Sequence, residues 1–113
     1  MGQYWKAVNL DKKEYLDPWT DGIDTGAKLI EQLWNGTGDC LLVLLAAHSE
    51  LRGGGDWEPS DKWTGRWAGD RVIVAGDYAE PGEVGDGVYE ACNTKEYTNI
   101  GKGLMEYIQE LKS

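Results

Sequence analysis

The chain has 113 residues and a formal net charge of −9, from 20 acidic against 11 basic residues. This length predicts a single domain over residues 1–113 that can bury a core without disulfide support. The acidic balance argues against a nucleic-acid partner and against binding to anionic membranes. No apolar run approaches the length of a membrane span and no signal peptide is visible, so a cytoplasmic protein is predicted.

The N-terminal segment predicts two short strands. Residues 3–10 alternate loosely between apolar and polar types and are rich in aromatic and β-branched side chains, which favours a strand. Polar residues at 11–13 predict a turn, and residues 14–16 predict a short return strand.

A helix is predicted over residues 26–34, where apolar side chains recur at helical spacing. Asp24 or Thr25 can cap its first turn, because a side-chain oxygen at that position accepts a free backbone N–H. Asn35-Gly36 is typical of a helix end, so the helix is expected to stop there.

Residues 40–47 form the most hydrophobic run of the chain. Periodicity alone does not decide between a buried strand and a core helix for this run. Its Leu and Ala content favours the helix, for which Thr37 or Asp39 would serve as the cap.

The second half of the chain predicts a loop, two strands and a final helix. Residues 49–64 are rich in glycine and polar types and indicate a long loop, which in a compact domain is usually functional or mobile. Residues 71–76 are the clearest strand, and 87–92 predict a partner strand that forms a hairpin with it after a turn at 82–87. A helix is predicted over 98–111, with its apolar residues on one face.

These elements define the expected fold class. Strand pairs beside separate helices indicate an α+β fold. The sheet is predicted to be small and antiparallel or mixed, with two to three helices packed on it. No repeat of solenoid length is visible, so one shared core is expected.

The functional prediction rests on the distribution of the arginines. All three arginines fall within residues 52–71, together with three of the six tryptophans and the only glycine triplet. Guanidinium groups, indole faces and a flexible backbone suit a planar, anionic small molecule. The candidate ligand-binding residues are Arg52, Gly53, Gly54, Gly55, Asp56, Trp57, Trp63, Arg66 and Trp67.

The leading motif within this stretch is RGGGDW at residues 52–57. Consecutive glycines let backbone N–H groups converge on an anion, and Arg52 can add a bidentate contact. Asp56 can accept hydrogen bonds from a sugar hydroxyl, and Trp57 can stack on a base. The motif lacks the spacing of a P-loop or a dinucleotide-binding turn, and a flexible surface loop is the alternative interpretation.

Trp63 and Trp67 are four residues apart, with Arg66 between them. If Ser60 caps a helical turn here, both indoles lie on one face and can form an aromatic wall for the ligand. The alternative is that both indoles pack in the core beneath the loop.

The strands suggest a further group of candidate side chains. If the N-terminal strand lies beside strand 71–76, Gln3, Tyr4 and Trp5 can line a pocket. Tyr78 follows strand 71–76 and can face the same cleft as the arginine- and tryptophan-rich stretch. Core packing is the alternative for each of these residues.

A catalytic role would depend on few residues. His48 is the only histidine and the candidate general base, with a structural role as the alternative. Asp56 is the leading candidate carboxylate. Asp70 and Asp77 flank strand 71–76 and are expected to be turn residues that do not share a site.

The cysteines and the metal-ligand inventory predict no further chemistry. Cys40 and Cys92 are too few for a disulfide scaffold and lie in apolar contexts, so they are predicted to be buried thiols. The single histidine and the lack of metal-binding motifs predict no metal site. No cofactor is predicted.

Several segments of the chain are informative in combination. They are GQYW at 2–5, VNLDKKEY at 8–15, RGGGD at 52–56, GRWAGDRV at 65–72 and GDY at 76–78. Together they resemble a family of small bacterial and phage proteins with no assigned activity, and the resemblance covers most of the chain. It implies that these segments belong to a shared core or site. By analogy it also implies a phage setting, in which small proteins sequester nucleotide signals and so block host defence.

The sequence therefore predicts a non-enzymatic binding protein for a small anionic aromatic ligand, such as a nucleotide or an ADP-ribose derivative. A small hydrolase acting on such a ligand is the first alternative. A module that docks on a host protein is the second. A homo-oligomer is compatible with a small aromatic-rich domain, and the sequence leaves this open.

Overall fold

The computed structural model describes residues 3–19, 28–34, 36–47 and 59–112. These ranges contain a four-stranded mixed sheet and four helices, which confirms the predicted α+β fold class. In chain order the elements are β1 (Trp5–Asn9), β2 (Glu14–Leu16), α1 (Leu29–Trp34), α2 (Gly36–Leu45), β3 (Val72–Gly76), α3 (Val88–Ala91), β4 (Thr98–Asn99) and α4 (Gly101–Lys112).

The two strands nearest the N-terminus form the centre of the sheet, whose order is β3-β1-β2-β4. β1 pairs antiparallel with β2 and with β3, and Trp5 lies directly opposite Gly76. β4 adds in parallel to β2, with Thr98 opposite Glu14. The strands predicted over 3–10, 14–16 and 71–76 are therefore confirmed.

Residues 87–92 are not a strand. Val88–Ala91 forms α3, and Gly87 before it has a φ of 73°, a left-handed conformation that glycine adopts without strain. Val88 and Cys92 are four residues apart, which is helical spacing, and both pack in the same buried cluster. Because this segment is helical, the predicted hairpin between 71–76 and 87–92 is wrong, and β3 pairs antiparallel with β1.

Helix α2 settles the ambiguity of the hydrophobic run at 40–47 in favour of a helix. The preceding helix ends at Trp34, before Gly36, as predicted, and Gly36 is then the first residue of α2. Thr37 and Asp39 lie inside its first turn, so neither is the cap that was predicted. A carboxylate in that turn is still favourable, because it faces the positive end of the helix dipole.

The predicted boundaries of the preceding helix fall largely outside the described residues. Asp24, Thr25 and Asn35 are among the positions outside them. The described part of that helix is α1, which ends at Trp34.

The predicted C-terminal helix begins later than expected, because its first residues join the sheet. The N–H groups of Thr98 and Ile100 donate to the carbonyl oxygens of Lys13 and Tyr15 at 2.9 and 3.0 Å. This segment is therefore β4, and the helix predicted over 98–111 is confirmed only as α4.

The sheet buries side chains on both faces. One face, here called the α2/α4 face, packs against those two helices and the indoles of the 59–70 segment. Its buried residues are Ala7, Leu16, Cys40, Val43, Leu44, Trp63, Trp67, Ile100, Leu104, Met105 and Ile108. The opposite face packs against α3 through a smaller cluster of Val8, Ala75 and Cys92.

A buried lysine lies on this opposite face. The Nζ atom of Lys6 donates to Oδ1 of Asn93 at 2.8 Å and lies 4.3 Å from the ring centroid of Tyr89 and 5.3 Å from that of Tyr15. Aromatic ring faces attract a cation, which compensates the ammonium group for part of its lost hydration. Lys6 is thus accommodated as part of the packing between β1 and α3.

Two helical glycines offer a matched test of helix propensity against packing. A Cβ atom at Gly38 in α2 would meet no neighbouring atom within 4 Å. We expect Gly38→Ala to raise the free energy of unfolding by about 0.5–1 kcal/mol, because glycine is disfavoured in helices. A Cβ atom at Gly103 in α4 would lie 3.0 Å from Cζ2 of Trp63. This close contact should cancel the stabilisation that helix propensity would otherwise give to Gly103→Ala. Urea unfolding measures both variants, and equal stabilisation would contradict the expected role of Trp63.

Candidate ligand-binding cleft

The predicted site is only partly within the described residues. Arg52, Gly53, Gly54, Gly55, Asp56 and Trp57 lie outside them, as does His48. The structure describes the other three predicted ligand-binding residues, Trp63, Arg66 and Trp67, which follow Pro59 in a continuous series of turns.

Trp63 and Trp67 belong to the core. Oγ of Ser60 accepts hydrogen bonds from the N–H groups of Lys62 and Trp63 at 3.2 and 3.3 Å, which confirms that Ser60 caps this turn. Both indoles then point to the α2/α4 face, where Trp63 is buried and Trp67 has no exposed surface. The two indoles therefore pack in the core, which was the alternative interpretation, and do not form an aromatic wall for a ligand.

Arg66 is held by a carboxylate that the sequence did not reveal. Its Nη2 and Nε atoms donate to Oε2 and Oε1 of Glu14 at 2.5 and 3.0 Å, and Nε1 of Trp67 donates to Oε1 at 2.9 Å. Burial raises the pKa of the Glu14 carboxyl, but the hydrogen bonds from Arg66 and Trp67 outweigh it and hold the pKa below its usual value. Arg66 is thus engaged by β2 and is not free to neutralise a ligand.

The turn between β1 and β2 is closed by a further set of polar contacts. The buried Asn9 accepts the N–H groups of Asp11 and Lys12 at 2.9 and 2.8 Å and donates its amide to Asp70 at 2.8 Å. Lys12 also pairs with Asp70, and Arg71 pairs with Asp11 at 2.8 Å. The hydrogen bonds from Lys12 and Asn9 lower the pKa of Asp70, which fits its predicted role as a turn residue.

An open cleft of about 440 Å³ lies beside the Trp5–Gly76 pair of β1 and β3. Alternate residues of a strand point to the same side, so side chains from the two strands converge here. The lining consists of Gln3, Trp5, Val74, Gly76, Tyr78, Ala79, Glu83, Val84 and Gly85. Gln3 and Trp5 line it as predicted. Tyr78 lines it as well, but Trp63, Arg66 and Trp67, the described residues of the stretch that Tyr78 was predicted to face, do not. Tyr4 does not, and instead packs edge-on against Trp19 with ring centroids 6.4 Å apart.

At position 76, on the floor of the cleft, a side chain would collide with two lining residues. A Cβ atom there would lie 2.1 Å from Nε2 of Gln3 and 3.0 Å from Cζ3 of Trp5. The amide and the indole therefore rest directly against the backbone of β3. A side chain at this position would displace the Gln3 amide first, because it is the flexible neighbour.

The outer wall of the cleft is formed by Tyr78 and the turn that follows it. Tyr78 is 56% exposed, so its ring is available to a ligand. Oε1 of Glu83 accepts the N–H of Glu80 at 2.6 Å, and the N–H of Glu83 donates back to the carbonyl of Glu80 at 3.1 Å. This pair of bonds closes the turn on itself.

The chemistry of this lining suits a planar molecule. Trp5 and Tyr78 offer ring surface, while the Gln3 amide can both donate and accept a hydrogen bond. Glu83 is the only charged side chain among the described residues that line the cleft. An anionic group of a ligand would therefore need a cation from outside this lining.

The described residues place no activated nucleophile or metal cluster near the cleft. Both cysteines are buried, and burial raises the pKa of the Cys92 thiol to about 11. No group of three or more metal-ligating side chains forms within the described ranges.

The Asp77 carboxylate accepts the N–H of Tyr4 at 3.0 Å, so it fixes the start of the N-terminal strand.

No protein-family model matches this chain, and no curated protein and no solved structure matches it either. The resemblance to small bacterial and phage proteins therefore stays a prediction. Among the described residues, no helix is both long enough and apolar enough to cross a membrane.

Proposed function

We propose that this protein binds a small planar ligand and does not transform it. The observation that carries the proposal is the cleft of about 440 Å³, in which the Trp5 indole and the Gln3 amide lie against Gly76 and Tyr78 is a further lining residue. Ligand sites typically combine apolar and aromatic walls with a few polar groups that fix orientation. This lining supplies two aromatic rings together with the Gln3 amide and the Glu83 carboxylate.

A nucleotide-like ligand is the finer proposal. Its base would stack on Trp5 or Tyr78, and the Gln3 amide would read the hydrogen-bonding edge of the base. The anionic part would be held by Arg52, because Arg66 and Arg71 are already paired with Glu14 and Asp11. Binding without turnover is what a protein needs in order to sequester a nucleotide signal.

Three described carboxylates are unsuited to chemistry on a ligand in the cleft. Asp11, Glu14 and Asp70 are held in hydrogen bonds and ion pairs with other residues of the chain, and none of the three lines the cleft. A hydrolase would have to rely on His48 and Asp56, which lie outside the described residues. Turnover of a nucleotide that is lost in His48→Ala or Asp56→Ala would establish that alternative instead.

Tyr78→Ala is expected to weaken ligand binding by about 5- to 150-fold, the range expected for loss of one stacking partner. The measurement is a fluorescence or calorimetric titration with the common ribonucleosides and their 5′-monophosphates. Tyr4→Ala is the matched control, because that ring packs against Trp19 outside the cleft. Equal affinities of the two variants would place the ligand elsewhere on the protein.

A second variant distinguishes the contribution of the phosphate to binding from that of the base. Arg52→Ala should weaken binding of the monophosphates and leave the nucleosides unchanged. Unchanged monophosphate affinity would remove Arg52 from the site while leaving the cleft in place. Native mass spectrometry of the protein as purified would reveal a co-purifying ligand directly.

A further inference from the structure

Helix α2 has the composition of a fully buried helix, yet one of its sides is exposed. Over residues 40–45 it contains no charged or hydroxyl side chain. Val43 and Leu44 are buried in the core, whereas Leu42 is 69% exposed and Leu45 is also exposed. A helix that is apolar all round is normally covered on every side. Among the described residues, the outward side of α2 is therefore a surface without the cover that its composition leads us to expect.

Two hollows flank this outward side. One, of about 240 Å³, lies between α2 and α4 and includes Leu42, Ile108 and Leu111 in its lining. The other, of about 200 Å³, lies between α2, α1 and β3 and includes Leu41 and Leu29. An apolar cavity of about 150 Å³ holds benzene, so each hollow can accept a leucine side chain. The outward side of α2 is thus a ridge between two grooves.

Charge indicates which partner fits this surface. Asp39 and Lys112 are the only charged side chains among the described residues that line the two hollows, and they form an ion pair of 2.5 Å. The surface is therefore locally neutral on a chain with a net charge of −9. A basic partner would be drawn to the acidic surfaces elsewhere on the molecule. Two copies of the chain repel each other least where they meet through a neutral surface.

We propose that the outward side of α2 is the contact surface of a homodimer. Leu42 and Leu45 of each copy enter the hollows beside α2 of the other copy across a two-fold axis. A ridge that adjoins a groove on one surface is self-complementary, which an isologous interface requires. The dimer does not rest on the proposed ligand function, because neither leucine lines the cleft, although Val74 of β3 lines both the cleft and the hollow beside α1.

Sedimentation equilibrium of the full chain tests this dimer. The wild-type protein is expected to form a dimer, and Leu42→Lys is expected to raise its dissociation constant by at least about 30-fold. The lysine also reduces the net negative charge, so general charge repulsion alone would predict tighter association of this variant. Weaker association would therefore identify contact at Leu42. Raising the salt concentration should strengthen the wild-type dimer, because it screens the repulsion between two acidic copies.

Val84→Lys is the matched control, since it adds the same charge at a residue that is 77% exposed and lies in the turn beside the cleft. It should leave the dimer intact. Leu45→Lys provides a second variant of the surface if circular dichroism shows that Leu42→Lys is unfolded. A wild-type chain that stays monomeric, or a dimer that the folded leucine variants do not weaken, overturns the proposal.

Discussion

Replacing Trp67 by alanine is expected to lower the free energy of unfolding by about 3–5 kcal/mol. The indole has no exposed surface and packs among buried side chains of β1, β2, α2 and α4, so the substitution leaves a cavity in the main core. It also removes the Nε1–H that donates to Glu14 at 2.9 Å. A domain has roughly 5–15 kcal/mol of stability, so this loss is a large part of the total.

Urea unfolding at neutral pH measures this effect. Trp19→Ala is the matched control, because that indole is 58% exposed and its loss should change the free energy of unfolding by less than about 1 kcal/mol. Similar values for the two variants would mean that Trp67 does not support the core as the structure indicates.

Replacing Arg66 by alanine is expected to lower the free energy of unfolding by about 2–3 kcal/mol. The substitution leaves the buried Glu14 carboxylate with Trp67 as its remaining described side-chain donor. The loss is smaller than for a fully buried ion pair, because the guanidinium group is partly exposed. Arg71→Ala makes the same change in a pair whose arginine side chain is 74% exposed, and it should change stability by less than about 1 kcal/mol.

The pH dependence of the stability lost in Arg66→Ala identifies the cause of that loss. Because the folded-state pKa of Glu14 lies below its usual value, the ion pair contributes its full stability above about pH 4.3. That contribution is lost as the pH falls through the lower folded-state value. The difference between wild type and Arg66→Ala should therefore be full at pH 7 and should shrink in acid. A difference that stays constant across this range would contradict the assignment to the Glu14 charge.

Local sequence patterns were sufficient to predict the secondary structure where residues that contact each other are also close along the chain. The turn at 11–13 joins two strands that pair directly, and both its position and the strands were predictable. The run at 40–47 follows the helix propensity of its leucines and alanines. The segment 87–92 failed because its apolar residues fit strand and helix spacing alike. What decides between these possibilities is the packing of Val88 and Cys92 against Val8 and Ala75 of the sheet, a contact between residues distant along the chain.

The candidate site was less predictable, because its residues were grouped by their closeness along the chain. Arg66 and Trp67 lie near the glycine triplet in sequence, but both donate to Glu14, which is 52 residues from Arg66. A single sequence carries no signal for such a contact between distant residues. The lining of the cleft was partly predictable, since Gln3 and Trp5 follow from placing β1 beside β3. The contribution of Glu83 was not predictable, because this residue lies in a turn whose path the sequence does not specify.

The order of strands in the sheet has a consequence for how the chain folds. β1 and β2 occupy the centre, whereas their outer neighbours β3 and β4 lie much later in the chain. A two-stranded ribbon is at best marginally stable in water, so the early hairpin gains little before its distant neighbours arrive. Contacts between residues so far apart along the chain require large loops to close first, which slows folding. The sheet should therefore assemble in one cooperative event, and a nascent N-terminal half should have no native-like intermediate of its own.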